Sequence, residues 1–266
     1  MGKIVTQQTT GRGRSWTMWK GLDRDIQLDN NKGIYSFNNT INFMPAAWEV
    51  GASDTNPASS NTYEGSIVLT TGATDNHQSF LMMGGSDSGY LASVNATERK
   101  GYSWMVECRV LFTSIADQGF MFGMADPSIG AVDPLVNNTG AVADKDFIGF
   151  RVLTPDSDGI DAVFYKEGGS EVIEKEEAQV ITANDWYKLG IRYTPQAPLS
   201  KDRKIEYFVD GASVGFLTQS DLELSTFPDG SNLVPVMAIK TGEGVTKSVH
   251  CSMFDFAWLF DSAADP

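Results

Sequence analysis

The stretch from Trp186 to Gly211 limits what this chain can fold into more than any other. Trp186-Tyr-Lys-Leu-Gly-Ile-Arg-Tyr193 puts Leu189, Ile191 and Tyr193 on one face of an extended segment, and Lys204-Ile-Glu-Tyr-Phe-Val209 does the same with Ile205, Tyr207 and Val209. A side-chain period of two marks a half-buried strand, because successive Cβ atoms point to opposite sides of the pleat. The loop between the runs contains proline, and Asp210-Gly211 suits a second, tight turn. An antiparallel hairpin followed by a return turn is predicted, and its apolar face needs a second layer to cover it.

The same alternation recurs down the chain. Strands are predicted at Ser66–Leu69, Gln78–Met83, Tyr102–Thr113, Phe120–Ala125, Phe147–Leu153, Ala162–Lys166, Val172–Val180, Trp186–Thr194, Lys204–Val209, Ala212–Leu217, Leu233–Lys240 and Val249–Phe260. Turn signals such as Gly84-Gly85, Asp126-Pro127, Asp158-Gly159, Gly168-Gly169 and Asp229-Gly230 separate them, and hardly any window carries a helical stripe. Two packed antiparallel sheets follow, an all-β sandwich over residues 63–266. Residues 1–62 lack sustained periodicity. Their polar Gln7–Ser15 tract and scattered Trp16, Trp19, Phe37, Phe43 and Trp48 suit an extended N-terminal arm for docking or oligomerisation rather than a self-contained core.

Charge divides the same way. Residues 1–20 hold Lys3, Arg12, Arg14 and Lys20 and no acid, so the formal net charge of −14 becomes four units more negative once they are set aside. A body that acidic repels nucleic acid. No run of about 18–20 apolar residues offers a membrane span, and no charged region followed by an apolar one reads as a secretory signal, so synthesis in a reducing cytosol is expected. Cys108 and Cys251 both fall within alternating runs and are expected to be buried free thiols. Met1-Gly2-Lys-Ile-Val-Thr6 fits a myristoylation pattern, and Asn38, Asn95 and Asn137 each open an N-x-T triplet; such short matches carry little weight.

The hairpin pattern, W-x-x-L-x-I-x-Y followed by I-x-Y-F-V-D-G, resembles that of concanavalin A-like (laminin-G-like) jelly rolls. The order of the other elements agrees: Tyr102-Ser-Trp-Met-Val-Glu-Cys-Arg-Val, Gly119-Phe-Met-Phe-Gly-Met, Asp146-Phe-Ile-Gly-Phe-Arg, Leu233-Val-Pro-Val-Met-Ala-Ile-Lys and His250-Cys-Ser-Met-Phe-Asp-Phe-Ala-Trp-Leu. The style of these motifs looks like virion proteins of tailed bacteriophages, capsid decoration or cement proteins among them. That resemblance implies a non-enzymatic protein made in the host cytoplasm and carried on the capsid surface. It implies the major capsid protein as partner, a homo-oligomer with a trimer favoured over a dimer, and an arm that reaches over neighbouring subunits. Within the arm, Arg12, Arg14, Trp16 and Trp19 are the candidate partner-binding residues, through charge-assisted and aromatic anchoring.

Catalytic chemistry finds little support. Glucanases of this jelly roll carry an E-x-D-x-E or E-x-D-x-x-E strand whose carboxylates flank the scissile bond, and that pattern is absent. Glu171, Glu174, Glu176 and Glu177 read as an edge strand or solvated loop, and Glu107 has no acid two residues away. His77 sits in a turn, and His250 precedes Cys251, so the two side chains of that pair point to opposite faces. Asp156-Ser-Asp158-Gly-Ile-Asp161 and Asp29-Asn-Asn31-Lys-Gly33 place oxygens at alternate positions but lack the terminal glutamate of a calcium loop, and Asp158-Gly159 reads more simply as a hairpin turn. No metal or cofactor is expected. Trp104, Trp186 and Trp258 are expected in the core. The alternative is a carbohydrate-binding, lectin-like receptor-binding or tail component of the same fold, which needs an exposed aromatic beside acids.

Overall fold

The computed structural model describes residues 48–52, 57–60, 66–83, 94–95, 102–194, 203–228 and 232–260. It is an all-β sandwich of two antiparallel sheets. In chain order the strands are β1 (Trp48–Ala52), β2 (Ala58–Ser60), β3 (Ser66–Thr70), β4 (Gln78–Met83), β5 (Val94–Asn95), β6 (Tyr102–Phe112), β7 (Gln118–Ala125), β8 (Phe147–Leu153), β9 (Asp156–Tyr165), β10 (Val172–Val180), β11 (Trp186–Thr194), β12 (Lys204–Val209), β13 (Ala212–Leu217), β14 (Asn232–Thr241) and β15 (Ser248–Phe260). One sheet runs β1-β4-β14-β7-β8-β9-β10, with β5 paired to β14. The other runs β13-β12-β11-β6-β15-β3-β2. A 3-10 turn, Pro127–Ala131, and a single helical turn, Gln219–Leu222, are the helical segments described.

The predicted hairpin is there in register: Leu189 faces Val209, Ile191 faces Tyr207 and Tyr193 faces Ile205. Asp210 and Gly211 both take positive φ, 48° and 83°, which fits the two-residue turn into β13. The two faces meet as sequence periodicity requires. Phe112 stands edge-on to Phe120, Phe122 to Phe254 and Phe150 to Tyr207, each pair joining one sheet to the other at ring separations of 5.0, 5.6 and 5.5 Å. Tyr207 keeps its hydroxyl satisfied in that core by donating to the carbonyl of Val163 at 3.1 Å. Trp104 is fully buried and stacks on Tyr193.

Some local expectations shift. Asp158-Gly159 is not a turn: β9 begins at Asp156, and the chain reverses at Thr154-Pro155, where Leu153 pairs with Asp156. Proline has no N–H to give a ladder, so the corner falls there. Pro235 lies within β14, yet the ladder to β4 starts only at Val236, after the missing donor. Three short strands, β1, β2 and β5, carry no alternation long enough to read. The first two lie within residues expected to form the arm, and they pair with β4 and β3. The arm up to residue 47 lies outside the described residues.

Candidate functional site

Each sheet has an outer face, and function on a sandwich has to use one of them or the loops at their ends. The outer face of the eight-stranded sheet is closed. Phe80, Met82, Met121, Phe147, Val163 and Val236 form a second apolar cluster there, capped by Ile129, Leu135, Val142 and Ala143 from the segment that links β7 to β8. That segment is pinned from below. The Lys240 ammonium, fully buried, donates to the Leu135 carbonyl at 2.9 Å, and the Leu135 N–H donates to Gln78 Oε1. Asn76 and Asn138 exchange two further hydrogen bonds at its margin. Burial pulls Lys240 below the ordinary lysine range, against the opposing pull of Asp133 and Asp75.

Beside this cap lies an ionic cluster that sequence reasoning did not find. Arg151 on β8 stands opposite Asp161 on β9, and its Nη1 approaches Asp161 Oδ2 at 2.9 Å. Its Nε donates to Glu171 Oε1 at 2.8 Å. Asp161 Oδ1 in turn accepts from the Glu177 N–H, where β10 bulges and Glu177 takes φ 44°. Burial pushes the Glu171 carboxyl up, only partly offset by Arg151. Of the two readings expected for this acidic run, edge strand or solvated loop, the edge strand is the one found, as β10, and Glu171 just before it is drawn in by Arg151. A two-residue turn at Thr154-Pro155 would by itself set Arg151 opposite Asp158; the register shift between Arg151 and Leu153 brings it opposite Asp161 instead.

A general acid with a facing nucleophile needs two carboxyl groups free to reach a substrate. Here both are engaged by one guanidinium, at a face packed with apolar side chains. The E-x-D-x-E strand is absent, and the remaining nucleophile candidates are also held. Burial raises the Cys108 thiol well above its usual value, with Cys251 and Glu107 adding to it, and neither Cys108 nor Cys251, both buried between the sheets, forms a disulfide. His250 points to the other side of β15 from Cys251. Its Nδ1 lies 3.4 Å from Ser66 Oγ, both residues are buried, and burial lowers its pKa. Among the described residues, no group of three or more His, Cys, Asp or Glu could hold a metal ion. Asp161 of the candidate calcium loop is committed to Arg151, and Asp29 and Asn31 lie outside the described residues.

The outer face of the seven-stranded sheet is different in kind. Cations and aromatics alternate on it. The Arg109 guanidinium sits 4.3 Å from the Trp186 ring centroid, and that of Arg192 sits 5.1 Å from Phe208 while its Nη2 reaches Glu206 Oε2 at 2.5 Å. Lys204 also pairs with Glu206, and Lys188 Nζ lies 2.7 Å from buried Glu107. Trp186 is therefore not a core residue: it is half-buried on this outer face, because β11 turns its even-numbered side chains outward. The Trp258 side chain and the four predicted partner-binding residues, Arg12, Arg14, Trp16 and Trp19, lie outside the described residues.

This architecture is that of the concanavalin A-like jelly rolls. The laminarinase catalytic domain from Thermotoga maritima MSB8 superposes with a TM-score of 0.56 at 11% identity, over 86% of this chain and 98% of that one. The Emp47p carbohydrate recognition domain superposes with a TM-score of 0.54 at 16% identity, over 87% and 98%. Catalytic and non-catalytic proteins thus share the fold, which at such identities is all the likeness carries. No protein-family model matches the sequence. No curated protein matches it in sequence either.

Proposed function

We propose that the protein is a non-enzymatic structural component of a tailed-phage particle, a head decoration or cement protein that binds the capsid surface. The observation that supports this reading best is the closed outer face of the eight-stranded sheet. A jelly roll used as an enzyme needs an open face with free carboxylates, and here Ile129, Leu135, Val142 and Ala143 fill the space while Arg151 engages both acids. The phage-like motifs around Gly119-Phe-Met-Phe-Gly-Met and Asp146-Phe-Ile-Gly-Phe-Arg fall on β7 and β8, the pair that lies beneath that cap. In this reading the acidic body faces solvent, and Arg12, Arg14, Trp16 and Trp19 contact the major capsid protein, with a trimer as the assembled form.

A lectin-like role is the second reading. It draws on the half-exposed Trp186 beside Arg109 and on the fold shared with the Emp47p carbohydrate recognition domain.

Co-sedimentation with purified phage shells separates the two. Full-length protein should pellet with the shells and bring down the major capsid protein, and a variant with Arg12→Glu, Arg14→Glu, Trp16→Ala and Trp19→Ala should stay in the supernatant. Capture by the shell that survives all four changes would remove the arm from the mechanism. Failure of the unaltered protein to pellet, together with retention on a glycan array lost in Trp186→Ala, would favour the lectin.

A further inference from the structure

In a chain with a net charge of −14, a cation with no carboxylate beside it is the exception. Of the four arginines described, three are paired: Arg151 with Asp161 and Glu171, Arg192 with Glu206, and Arg203 with Glu223. Arg109 of β6 is exposed and forms no ion pair among the described residues, yet it is held in place. Its guanidinium lies 4.3 Å from the Trp186 ring centroid, and its Nη1 donates to Ser252 Oγ at 3.2 Å. The neighbours do not supply an anion. Lys188 stands directly opposite Arg109 in the ladder between β6 and β11, and like charges at such a position repel. The Glu107 carboxylate goes to Lys188, at 2.7 Å. Asp210 acts on Arg109 only from beyond ion-pair distance, and its Oδ1 accepts the Lys188 N–H.

We propose that Arg109, with Trp186 and Ser252, binds the carboxylate of an acidic saccharide of the hexuronate type on the outer face of the seven-stranded sheet. A guanidinium presents parallel N–H donors that match the two oxygens of a carboxylate, and stacking on an indole fixes its plane in advance. With Nη1 engaged by Ser252, the edge formed by Nε and Nη2 keeps its donors for the ligand. The half-buried Trp186 ring and the Ser252 hydroxyl supply the apolar and hydrogen-bonding contacts that a pyranose ring needs, which a bare inorganic anion would leave unused. The acidic body adds selectivity, because it repels anions elsewhere and leaves this spot as the place where one is neutralised. The proposal deepens the glycan-binding reading and rests on it; it does not depend on what the arm contacts.

Isothermal titration with oligogalacturonate tests it, with the fully methyl-esterified oligomer as the control, since esterification keeps the rings and removes the charge. Unaltered protein should bind the acid at least about tenfold more tightly than the ester, and the affinity should fall as salt rises. That comparison involves no substitution, so a folding defect cannot imitate it. Arg109→Gln should lose about tenfold or more, and Arg109→Lys, which keeps the charge without the fork, should recover only part of it. Equal affinity for acid and ester would overturn the proposal, as would acid binding unchanged in Arg109→Gln. If neither oligomer binds but a neutral glycan is retained and lost in Trp186→Ala, the acidic ligand class falls and the lectin reading stands. If no glycan is retained at all, both fall together.

Discussion

Gly123 of β7 stands directly opposite Gly149 of β8, and the backbones approach so closely that a methyl group on Gly123 would lie 2.2 Å from the Ile148 carbonyl oxygen. One on Gly149 would lie 2.3 Å from the Phe122 carbonyl oxygen and 2.3 Å from Phe147 Cζ. The Gly119-Phe-Met-Phe-Gly-Met and Asp146-Phe-Ile-Gly-Phe-Arg runs thus place Gly123 and Gly149 at one register position, where the two backbones need the room.

An alanine at a strand glycine ordinarily stabilises by about 0.5–1 kcal/mol through backbone entropy. At Gly123 the obstacle is backbone and cannot move aside, so overpacking of about 1–3 kcal/mol or more outweighs that gain. Gly123→Ala should therefore lower the urea midpoint, and the loss should exceed that of Gly168→Ser, where nothing stands within 4 Å and only the positive φ of 75° opposes the change.

Arg151→Met should cost about 3–5 kcal/mol, because it leaves Asp161 and Glu171 without the cation that offsets their burial. Replacing all three by apolar residues of similar volume should recover most of the loss. Equilibrium denaturation of the single and triple variants checks both statements, and a triple variant as weak as the single one would show that the cluster matters for more than charge balance.

Acid stability should respond in opposite directions to two glutamates. Burial alone would raise Glu206, but hydrogen bonds from Arg192 and Lys204 outweigh it and hold the carboxyl below its ordinary range. Its contribution is present above the unfolded-state pKa and is lost as pH falls through the folded one. Glu174 is raised by burial and by Asp221, so its contribution is present below the ordinary range and is lost as pH rises through its folded value. Melting temperature measured against pH should therefore fall less steeply on the acid side for Glu206→Gln than for the parent, while Glu174→Gln should gain stability at neutral pH.

Neither cysteine should react with a soluble disulfide reagent while the protein is folded. Burial favours the protonated thiol at Cys108, and both sulfurs lie between the sheets. Titration in denaturant should recover both thiols. Rapid reaction of either in native buffer would mean that β6 and β15 separate readily at that point.

Legibility of the fold tracked the range of the interactions. The hairpin from β11 to β12 could be read residue by residue because one loop and one alternation fix its register. The turn between β8 and β9 was displaced because Asp158-Gly159 is a strong local turn signal that strand pairing overrode, so that β9 starts before it, at Asp156. The ion pair of Glu171 was not legible for a similar reason: its partner Arg151 is twenty residues away. Trp186 looked like core because aromatic residues in strands usually are, and only the pairing with β6 shows that it shares a side with Arg109 and Leu111.

By itself the sequence determined that the chain forms alternating strands with two chemically distinct faces, enough of them for two sheets, because period-two patterning and turn chemistry act between near neighbours. It also determined the acidic balance and the shortage of histidine that narrow the chemistry. Only the tertiary structure decided what covers each face. The loop carrying Leu135 closes one outer face, held by a lysine 105 residues further on, and Arg151 finds its two carboxylates there. Those contacts join residues far apart in the chain, and their strength comes from burial, which no local pattern specifies.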